Sequence, residues 1–232
     1  AIDRVWERVD GWAAGLVLLH EHAAARGRAD DAGAHGRPEA VFRYFAGEIL
    51  NSVAPEVRRA AMISALLPYM SVPVVVALTG DPRFGRRLED GYRRRLFVTR
   101  RDAHERVYEY PALFREFLLD LLRAKVAPEE LARLRRRAAE LLEDDGANES
   151  AAEFYREAGD WANAVRLTLA DAPAMIAQGR MQTVADRIAA LPPAEREREP
   201  WLAYWEGVAR VNIEPLTALA TLEQAYQGFL AR

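Results

Sequence analysis

The single lysine of the chain, Lys125, decides whether the sequence contains a phosphate-binding loop for a nucleotide. Such a loop needs a Gly-Lys-Ser or Gly-Lys-Thr run, in which the backbone N–H groups and the lysine hold the phosphates. Lys125 lies between Ala124 and Val126, so none of the 232 residues forms such a run. We therefore predict no cofactor for this chain.

Histidine, serine and paired carboxylates also fail to form a catalytic pattern. His20 and His22 are two residues apart in a predicted helix and so point to different faces, with no third ligand at a suitable spacing. No serine occurs in a Gly-x-Ser-x-Gly turn, and no carboxylate pair lies in a glycine-rich loop. The sequence predicts neither a metal site nor an enzyme.

Arginines are concentrated around residue 100 and are candidates for phosphate contacts. They are Arg93, Arg94, Arg95, Arg100 and Arg101, which flank a predicted β-hairpin. Acidic residues are interleaved with them: Glu89, Asp90, Asp102 and Glu105. This mixture favours a solvated charged face, and sequence-independent binding of nucleic acid through the arginines is the alternative function.

A group of aromatic residues in the last third of the chain forms the second set of candidates. They are Tyr155, Trp161, Trp201, Tyr204 and Trp205. At helical spacing they are most simply core residues. If they are exposed on a concave helical surface, they are expected to anchor a sugar-like effector or a helix of a partner protein.

Composition limits the class of protein. Half of the residues are apolar, the net charge is −3 and cysteine is absent, which predicts a globular protein of a reducing cytoplasm without a general attraction to nucleic acid. The longest apolar stretches, residues 13–19 and 72–78, are far shorter than the ~20 residues that span a bilayer. We therefore predict a cytoplasmic protein without a signal peptide or a membrane segment.

The first part of the chain divides into a short helical unit and a winged helix domain. Apolar residues at three- and four-residue steps predict helices in residues 1–37, and the Gly- and Asp-rich stretch 28–38 ends that unit. Residues 38–124 contain predicted helices followed by a hairpin with strands at 96–98 and 106–110. This order predicts a winged helix.

The third helix of this domain, residues 72–78, argues against DNA reading. A helix that reads a groove presents Arg, Asn, Gln or Lys to the base edges, whereas this segment offers the methyl groups of valines and a leucine. We interpret the winged helix as a relay element whose third helix faces inward.

Residues 125–232 are predicted to be helical throughout. Residues 138–142 with Gly146 are similar to residues 151–155 with Gly159, so a helix and a terminal glycine recur after 13 residues. The fold class is therefore mostly α, with a winged helix domain followed by antiparallel helical hairpins like those of tetratricopeptide repeats. We expect the natural chain to continue past Arg232, because the last helix of such an array exposes apolar surface, and self-association through that end is a third hypothesis.

Three segments together resemble a known family. Residues 10–16 (Asp-Gly-Trp-Ala-Ala-Gly-Leu), 42–50 (Phe-Arg-Tyr-Phe-Ala-Gly-Glu-Ile-Leu) and 108–118 (Tyr-Glu-Tyr-Pro-Ala-Leu-Phe-Arg-Glu-Phe-Leu) are similar in order and spacing to motifs of the MalT-like, LuxR-type ATP-dependent regulators. These are signal-transduction ATPases with numerous domains. The resemblance implies a helical lid of an ATPase module, a winged helix and a helical-repeat sensor, followed in the family by a DNA-binding domain.

Two positions depart from the family pattern. The resemblance places Ala13 where a proline packs on adenine, and Pro111 where a histidine reaches the nucleotide phosphates. Both changes weaken the grip on a nucleotide, so ATP or ADP is expected only in a longer parent protein with a degenerate switch. The leading hypothesis is a non-enzymatic signalling segment whose helical repeats bind an effector molecule or a regulatory protein, while the winged helix relays the switch. DNA binding is then expected only in another domain.

Overall fold

A computed structural model of the chain describes residues 46–47, 50–51, 53–94, 97–101 and 106–232. The predicted lid of residues 1–37 lies outside these residues. The chain divides into two compact units, Ala1–Leu131 and Ala132–Arg232. In the described part the fold is mostly α with one small sheet, as predicted.

The described part of the first unit contains four complete helices. They are α1 (Pro55–Ser64), α2 (Val72–Thr79), α3 (Phe84–Arg93) and α4 (Ala112–Lys125), and residues 46–47 and 50–51 are also helical. Pro55 stands at the start of α1, where its missing N–H costs nothing. Gly80 ends α2 in the left-handed conformation at φ +69°, which glycine adopts without steric cost.

The sheet contains three short antiparallel strands, β1 (Met70–Ser71), β2 (Thr99–Arg100) and β3 (Val107–Glu109), in the order β1-β3-β2. Met70 pairs with Tyr108, and Thr99 pairs with Glu109. The prediction of a hairpin is confirmed, but its first strand starts at Thr99 instead of residue 96. Phe97 has φ +52° and stacks on Phe114 with a ring separation of 4.3 Å, so it cannot be part of an extended strand.

The connection between α2 and α3 corrects the sequence interpretation of the third helix. Helix α2 is buried through Val74, Val75 and Leu78, as predicted. However, α2 is the first helix of the helix–turn–helix pair, and the four residues Gly80–Arg83 lead directly into α3. In this topology the second helix is the one that can reach a groove. The second helix of this pair is therefore the arginine-rich α3, not the valine-rich α2.

The centre of the first unit joins the sheet to α1 and α4. Tyr108 of β3, Leu67, Met70, Leu118 and Leu122 are fully or almost fully buried. The guanidinium of Arg115 in α4 donates to the carbonyls of Leu66 and Leu67 at 2.9 and 3.3 Å, which satisfies acceptors just beyond the end of α1.

Seven helices make up the remainder of the chain. They are α5 (Pro128–Asp144), which contains the unit boundary, α6 (Asn148–Glu157), α7 (Trp161–Ala177), α8 (Met181–Ala189), α9 (Pro193–Arg198), α10 (Pro200–Arg210) and α11 (Pro215–Leu230). Gly146 and Gly159 have φ of +79° and +71°, and the residue after each donates its N–H to a carbonyl five residues earlier. The predicted left-handed glycine caps are thus confirmed.

The last two helices form an antiparallel hairpin with a very close approach. A Cβ placed on Gly207 of α10 would lie 2.6 Å from Cγ of Leu222 in α11, and one on Gly228 of α11 would lie 2.7 Å from Cγ of Pro200. Because glycine has no Cβ, the two helix axes can come together at both ends of the hairpin.

Candidate functional site

The predicted nucleotide-contact positions do not form a described site. Ala13 lies outside the described residues. Pro111 is buried at the N-terminal cap position of α4, with φ −52° and ψ 140°. It packs as part of the protein interior and offers no polar group except its backbone carbonyl, which accepts from Phe114 and Arg115 at 2.9 Å.

The predicted phosphate-binding arginines differ in the groups that they contact. Arg93 is exposed and pairs with Glu89 at 2.8 Å, and Arg94 is exposed at the end of α3. The guanidinium of Arg100 lies 5.9 Å from the ring centre of Tyr92, and that of Arg101 lies 5.2 Å from the ring centre of Tyr69. Arg95 is outside the described residues.

Glu89 connects α3 to the sheet beneath it. The buried hydroxyl of Tyr108 donates to Glu89, which also accepts from Arg93. The hydrogen bond from Tyr108 and then that from Arg93 lower the pKa of Glu89 below its ordinary value. Burial, together with the bond to Glu89, raises the pKa of Tyr108 to about 12. Glu89 is therefore ionised at neutral pH, and its charge is already matched by its two partners.

The structure brings together only some of the predicted aromatic residues. Trp201 contacts Tyr204 at 5.4 Å and Phe229 at 4.9 Å, and Tyr204 contacts Trp205 at 5.1 Å, all between ring centres. Trp201 is 48% exposed, whereas Tyr204 and Trp205 are half-buried. Of the three predicted residues in this cluster of α10 and α11, Trp201 is the one whose ring is available to a partner.

Tyr155 and Trp161 are not part of that cluster. Tyr155 is buried in α6, and its hydroxyl donates to Glu143 at 3.2 Å. Burial and this bond raise the pKa of Tyr155 to about 12. Trp161 is half-buried at the first position of α7. Tyr155 is therefore a core residue, and its ring is not exposed to an effector.

Exposed apolar surface on the last helix was expected from the sequence, although its residues were not predicted, and α11 carries it as a stripe. It consists of Leu216, Leu219, Tyr226 and Leu230, which are 83, 64, 59 and 65% exposed. With Glu223, these residues follow steps of three and four residues and lie along one face of the helix. The spacing was visible in the sequence, but apolar periodicity alone does not reveal which helix faces the other described elements leave exposed.

A cavity of about 350 Å³ lies among α6, α7 and α8. Its polar lining consists of Glu153, Arg156, Thr168, Thr183, Asp186 and Arg187. Both arginines are in ion pairs, since Arg156 contacts Glu153, and Arg187 contacts Asp171 and Glu149 at 3.4 and 3.3 Å, while Asp186 accepts a hydrogen bond from Gln182. The cavity has no aromatic lining for the sugar-like effector expected from the sequence.

Two further features concern metals and membranes. Within the part of the chain that the structure describes, no three His, Asp or Glu side chains come together in a way that would hold a metal ion. In the same part, none of the helices combines the length and apolar character needed to cross a bilayer.

The chain has similarities to known proteins. Residues 46–131 match the family model of the MalT winged helix domain. Over 222 residues the chain is 26% identical to serine/threonine-protein kinase PknK of Mycobacterium tuberculosis and equally to that of Mycobacterium bovis. These matches cover 93% of this chain but only 20% of each relative, so the chain spans about a fifth of the length of these kinases.

Proposed function

We propose that this chain is a non-enzymatic regulatory segment of a MalT-like signalling protein, because its residues 46–131 match the family model of the MalT winged helix domain. Its helical array binds a helix of a partner protein through the exposed stripe of α11. The winged helix relays this event to the rest of the regulator. The domain assignment of residues 1–37, 38–124 and 125–232 as lid remnant, winged helix and sensor belongs to this proposal.

The observation that supports it is that α11 has two apolar faces. One face, with Ala218 and Ala225, is buried against α10. The other carries four large side chains, Leu216, Leu219, Tyr226 and Leu230, each more than half exposed. Burying such a row contributes about 25 cal/mol per Å² of apolar surface. A stripe of this size on one helix is typical of a surface that binds another helix.

The spacing of the stripe and its charge define the partner. From Leu216 to Leu230 the steps are three, four, three and four residues, which is the a and d pattern of a coiled coil, with Glu223 at the centre. A second copy in a two-fold antiparallel pairing would bring Glu223 opposite its own counterpart, which is repulsive. The stripe therefore fits an amphipathic helix that places an arginine or lysine opposite Glu223.

The aromatic cluster of α10 extends this surface at one end. Trp201 contacts Phe229, the residue before Leu230, and is 48% exposed. Tryptophan residues with one free face are frequent anchors at the centre of protein interfaces. Trp201 therefore serves both as an anchor for the partner helix and as a fluorescent reporter of its binding.

A small polar effector in the cavity among α6, α7 and α8 is less well supported. Both arginines that line it are already in ion pairs, Arg156 with Glu153 and Arg187 with Asp171 and Glu149, so binding of an anion would compete with existing ion pairs. We therefore assign partner binding to α11 and leave the cavity out of the proposed mechanism.

Two designed peptides test the proposal. Each has about 20 residues, a length that supports a helix, with leucines at the a and d positions. One has arginine and the other glutamate at the position opposite Glu223. Titration against the full chain, followed by tryptophan fluorescence and by calorimetry, is expected to show about tenfold tighter binding of the arginine peptide, a difference of about 1.4 kcal/mol.

Three variants complete the experiment. Leu219→Asp should abolish binding, whereas Gln224→Asp, a neighbouring exposed position off the stripe, should not. Glu223→Arg should reverse the preference and favour the glutamate peptide. Equal binding of both peptides, or unchanged binding by Leu219→Asp, would show that the stripe is not the partner site.

A further inference from the structure

The solvent side of α3 carries a concentrated positive charge. Phe84, Gly85 and Leu88 face inward. With 100° between successive residues, the opposite side is formed by Arg86, Asp90 and Arg93 together with Arg83, Arg87 and Arg94, all of them exposed. Five arginines and one aspartate thus share one face, in a chain whose net charge is −3.

The arginines form two rows along the helix. Arg86 and Arg93 are seven residues apart, which is two turns, and Arg87 and Arg94 repeat this spacing about 100° further round. Asp90 lies between the rows. Each row is about 10 Å long at 1.5 Å per residue. Two rows of cations on one helix are complementary in charge to the phosphates of duplex DNA, which carry one negative charge per about 1.7 Å of its axis.

Only part of this charge is neutralised inside the protein. Arg93 pairs with Glu89, and Arg87 contacts Asp81 at 3.4 Å. Among the described residues, no acidic group lies within ion-pair distance of Arg83, Arg86 or Arg94. Both carboxylate oxygens of Glu89 already accept hydrogen bonds, from Tyr108 and from Arg93, and Glu89 forms no ion pair with the other described arginines of α3.

The scaffold presents α3 in the position of a groove-binding helix. Gly80 turns the chain between α2 and α3, and Gly85 allows close packing because a Cβ there would lie 2.6 Å from Cγ1 of Val72. The strands β2 and β3 follow α3, with Arg101 and Arg106 exposed at their ends. The basic surface therefore continues from the helix towards the wing.

We propose that the winged helix domain binds the phosphate backbone of duplex DNA, without sequence preference, through the two arginine rows of α3. Asp90 at the centre of the face opposes deep entry of the helix between the phosphates. The guanidinium groups at the edges donate to phosphate oxygens, and such contacts determine position and affinity but not sequence. Helix α3 belongs to the first unit and α11 to the second.

The test is fluorescence anisotropy of the full chain with a labelled 20-base-pair duplex of arbitrary sequence between about 50 and 200 mM salt. The unchanged chain is expected to bind, with an affinity that falls steeply as salt rises. The triple variant Arg86→Ala, Arg87→Ala and Arg94→Ala should lose at least tenfold in affinity at 50 mM salt. Its slope of log affinity against log salt should be less steep by about 0.9 for each phosphate contact that is lost.

A second triple variant is the matched control. Arg123→Ala, Arg133→Ala and Arg137→Ala remove the same charge from exposed positions of α4 and α5 and should change the affinity less than threefold. Circular dichroism verifies that both variants are folded. Leu219→Asp should leave DNA binding unchanged, so failure of the α11 proposal is distinguishable from failure of this one.

Three results would overturn the proposal. They are the absence of binding at 50 mM salt, an equal loss of affinity in the two triple variants, and displacement of the duplex by polyglutamate at an equal concentration of charge. The last result would assign the face of α3 to an acidic protein surface.

Discussion

The hydroxyls of Ser64 and Tyr110 form a buried hydrogen bond of 2.8 Å between α1 and the end of the sheet. Ser64 donates its only hydroxyl proton to the carbonyl of Ala61 at 2.9 Å, so Tyr110 is the donor to Ser64. Burial raises the pKa of Tyr110, which keeps this phenol protonated at neutral pH and preserves its role as donor.

Removal of either hydroxyl is expected to destabilise the first unit, because a buried polar group loses its partner. Tyr110→Phe and Ser64→Ala should each lower the free energy of unfolding by about 1–2 kcal/mol. The double variant should lose clearly less than the sum, since no orphaned hydroxyl remains. Urea denaturation of all four proteins measures this coupling, and strict additivity would contradict it.

Glu143 holds α5 against α6 and α7 by accepting hydrogen bonds from Arg166 at 2.8 Å and from Tyr155 at 3.2 Å. The bond from Arg166 is the main cause that lowers the pKa of Glu143 below its ordinary value of 4.5. A lowered carboxyl pKa stabilises the fold fully above pH 4.5, and this contribution is lost as the pH falls through the folded-state pKa.

The variant Glu143→Gln should therefore be less stable than the original chain at pH 7, by at most about 1 kcal/mol because the pair is partly solvated. The difference should shrink as the pH is lowered from about 4.5 to 3. Urea midpoints at several pH values measure it, with exposed Glu197→Gln as the control. A difference that stays constant down to pH 3 would argue against this account.

At the scale of elements, the α10–α11 hairpin depends on the missing side chain of Gly207. A Cβ at this position would lie 2.6 Å from Cγ of Leu222 and 3.2 Å from the carbonyl oxygen of Ala218. The carbonyl belongs to the backbone of α11 and cannot move without shifting the whole helix. Close packing thus outweighs the poor helix propensity of glycine, which costs about 0.5–1 kcal/mol relative to alanine.

We expect Gly207→Ala to destabilise the chain by about 1–3 kcal/mol, the usual cost of overpacking. Thermal unfolding followed by circular dichroism should show a lower Tm. Adding Leu222→Ala removes the nearest clash and should lessen the loss relative to the Leu222→Ala variant alone. An unchanged or higher Tm for Gly207→Ala would mean that α10 and α11 can move apart without loss of stability.

The elements that were predicted correctly from the sequence are those specified by local signals. Helix ends follow from the backbone preferences of single residues: Pro55 and Pro128 begin helices, and glycines with positive φ end them. Such preferences can be recognised from a few neighbouring residues. Strand β1 was missed because two residues show no alternation, and its partner Tyr108 is far away in the chain. The shift of the hairpin has a similar cause, since the positive φ of Phe97 is linked to its stacking on Phe114.

The candidate sites were predicted less well, because surface exposure depends on which elements meet. The core interpretation of Tyr155 agrees with its 3% exposure, whereas Leu216, which also lies in a helix, is 83% exposed. The identity of the second helix in the helix–turn–helix pair also depended on β1, which precedes α2. The sequence predicts which residue types lie on each helix face. Only the tertiary structure shows which of these faces are exposed and which are buried.

At the scale of the whole molecule, the arginine face of α3 and the apolar stripe of α11 are both exposed, and they differ in chemistry. Elsewhere in the described array, arginines are matched by nearby acids, as for Arg136 with Asp160 and Arg210 with Glu206. The arginine rows of α3 attract anions over a distance that salt screens. The stripe of α11 acts only in contact, through burial of apolar surface. Their contributions can therefore be separated by salt concentration.

The charge of Glu223 is expected to keep copies of the chain apart despite the exposed stripe. In a two-fold antiparallel pair this residue would face its own copy, and like charges at a coiled-coil seam oppose pairing. Glu223→Leu should remove the repulsion and complete a row of five apolar residues. Sedimentation velocity at several concentrations should then show a dimer for the variant and a monomer for the original chain. Gln224→Leu adds the same apolar side chain off the stripe and should remain monomeric; dimers of the original chain, or of both variants alike, would mean that Glu223 does not control pairing.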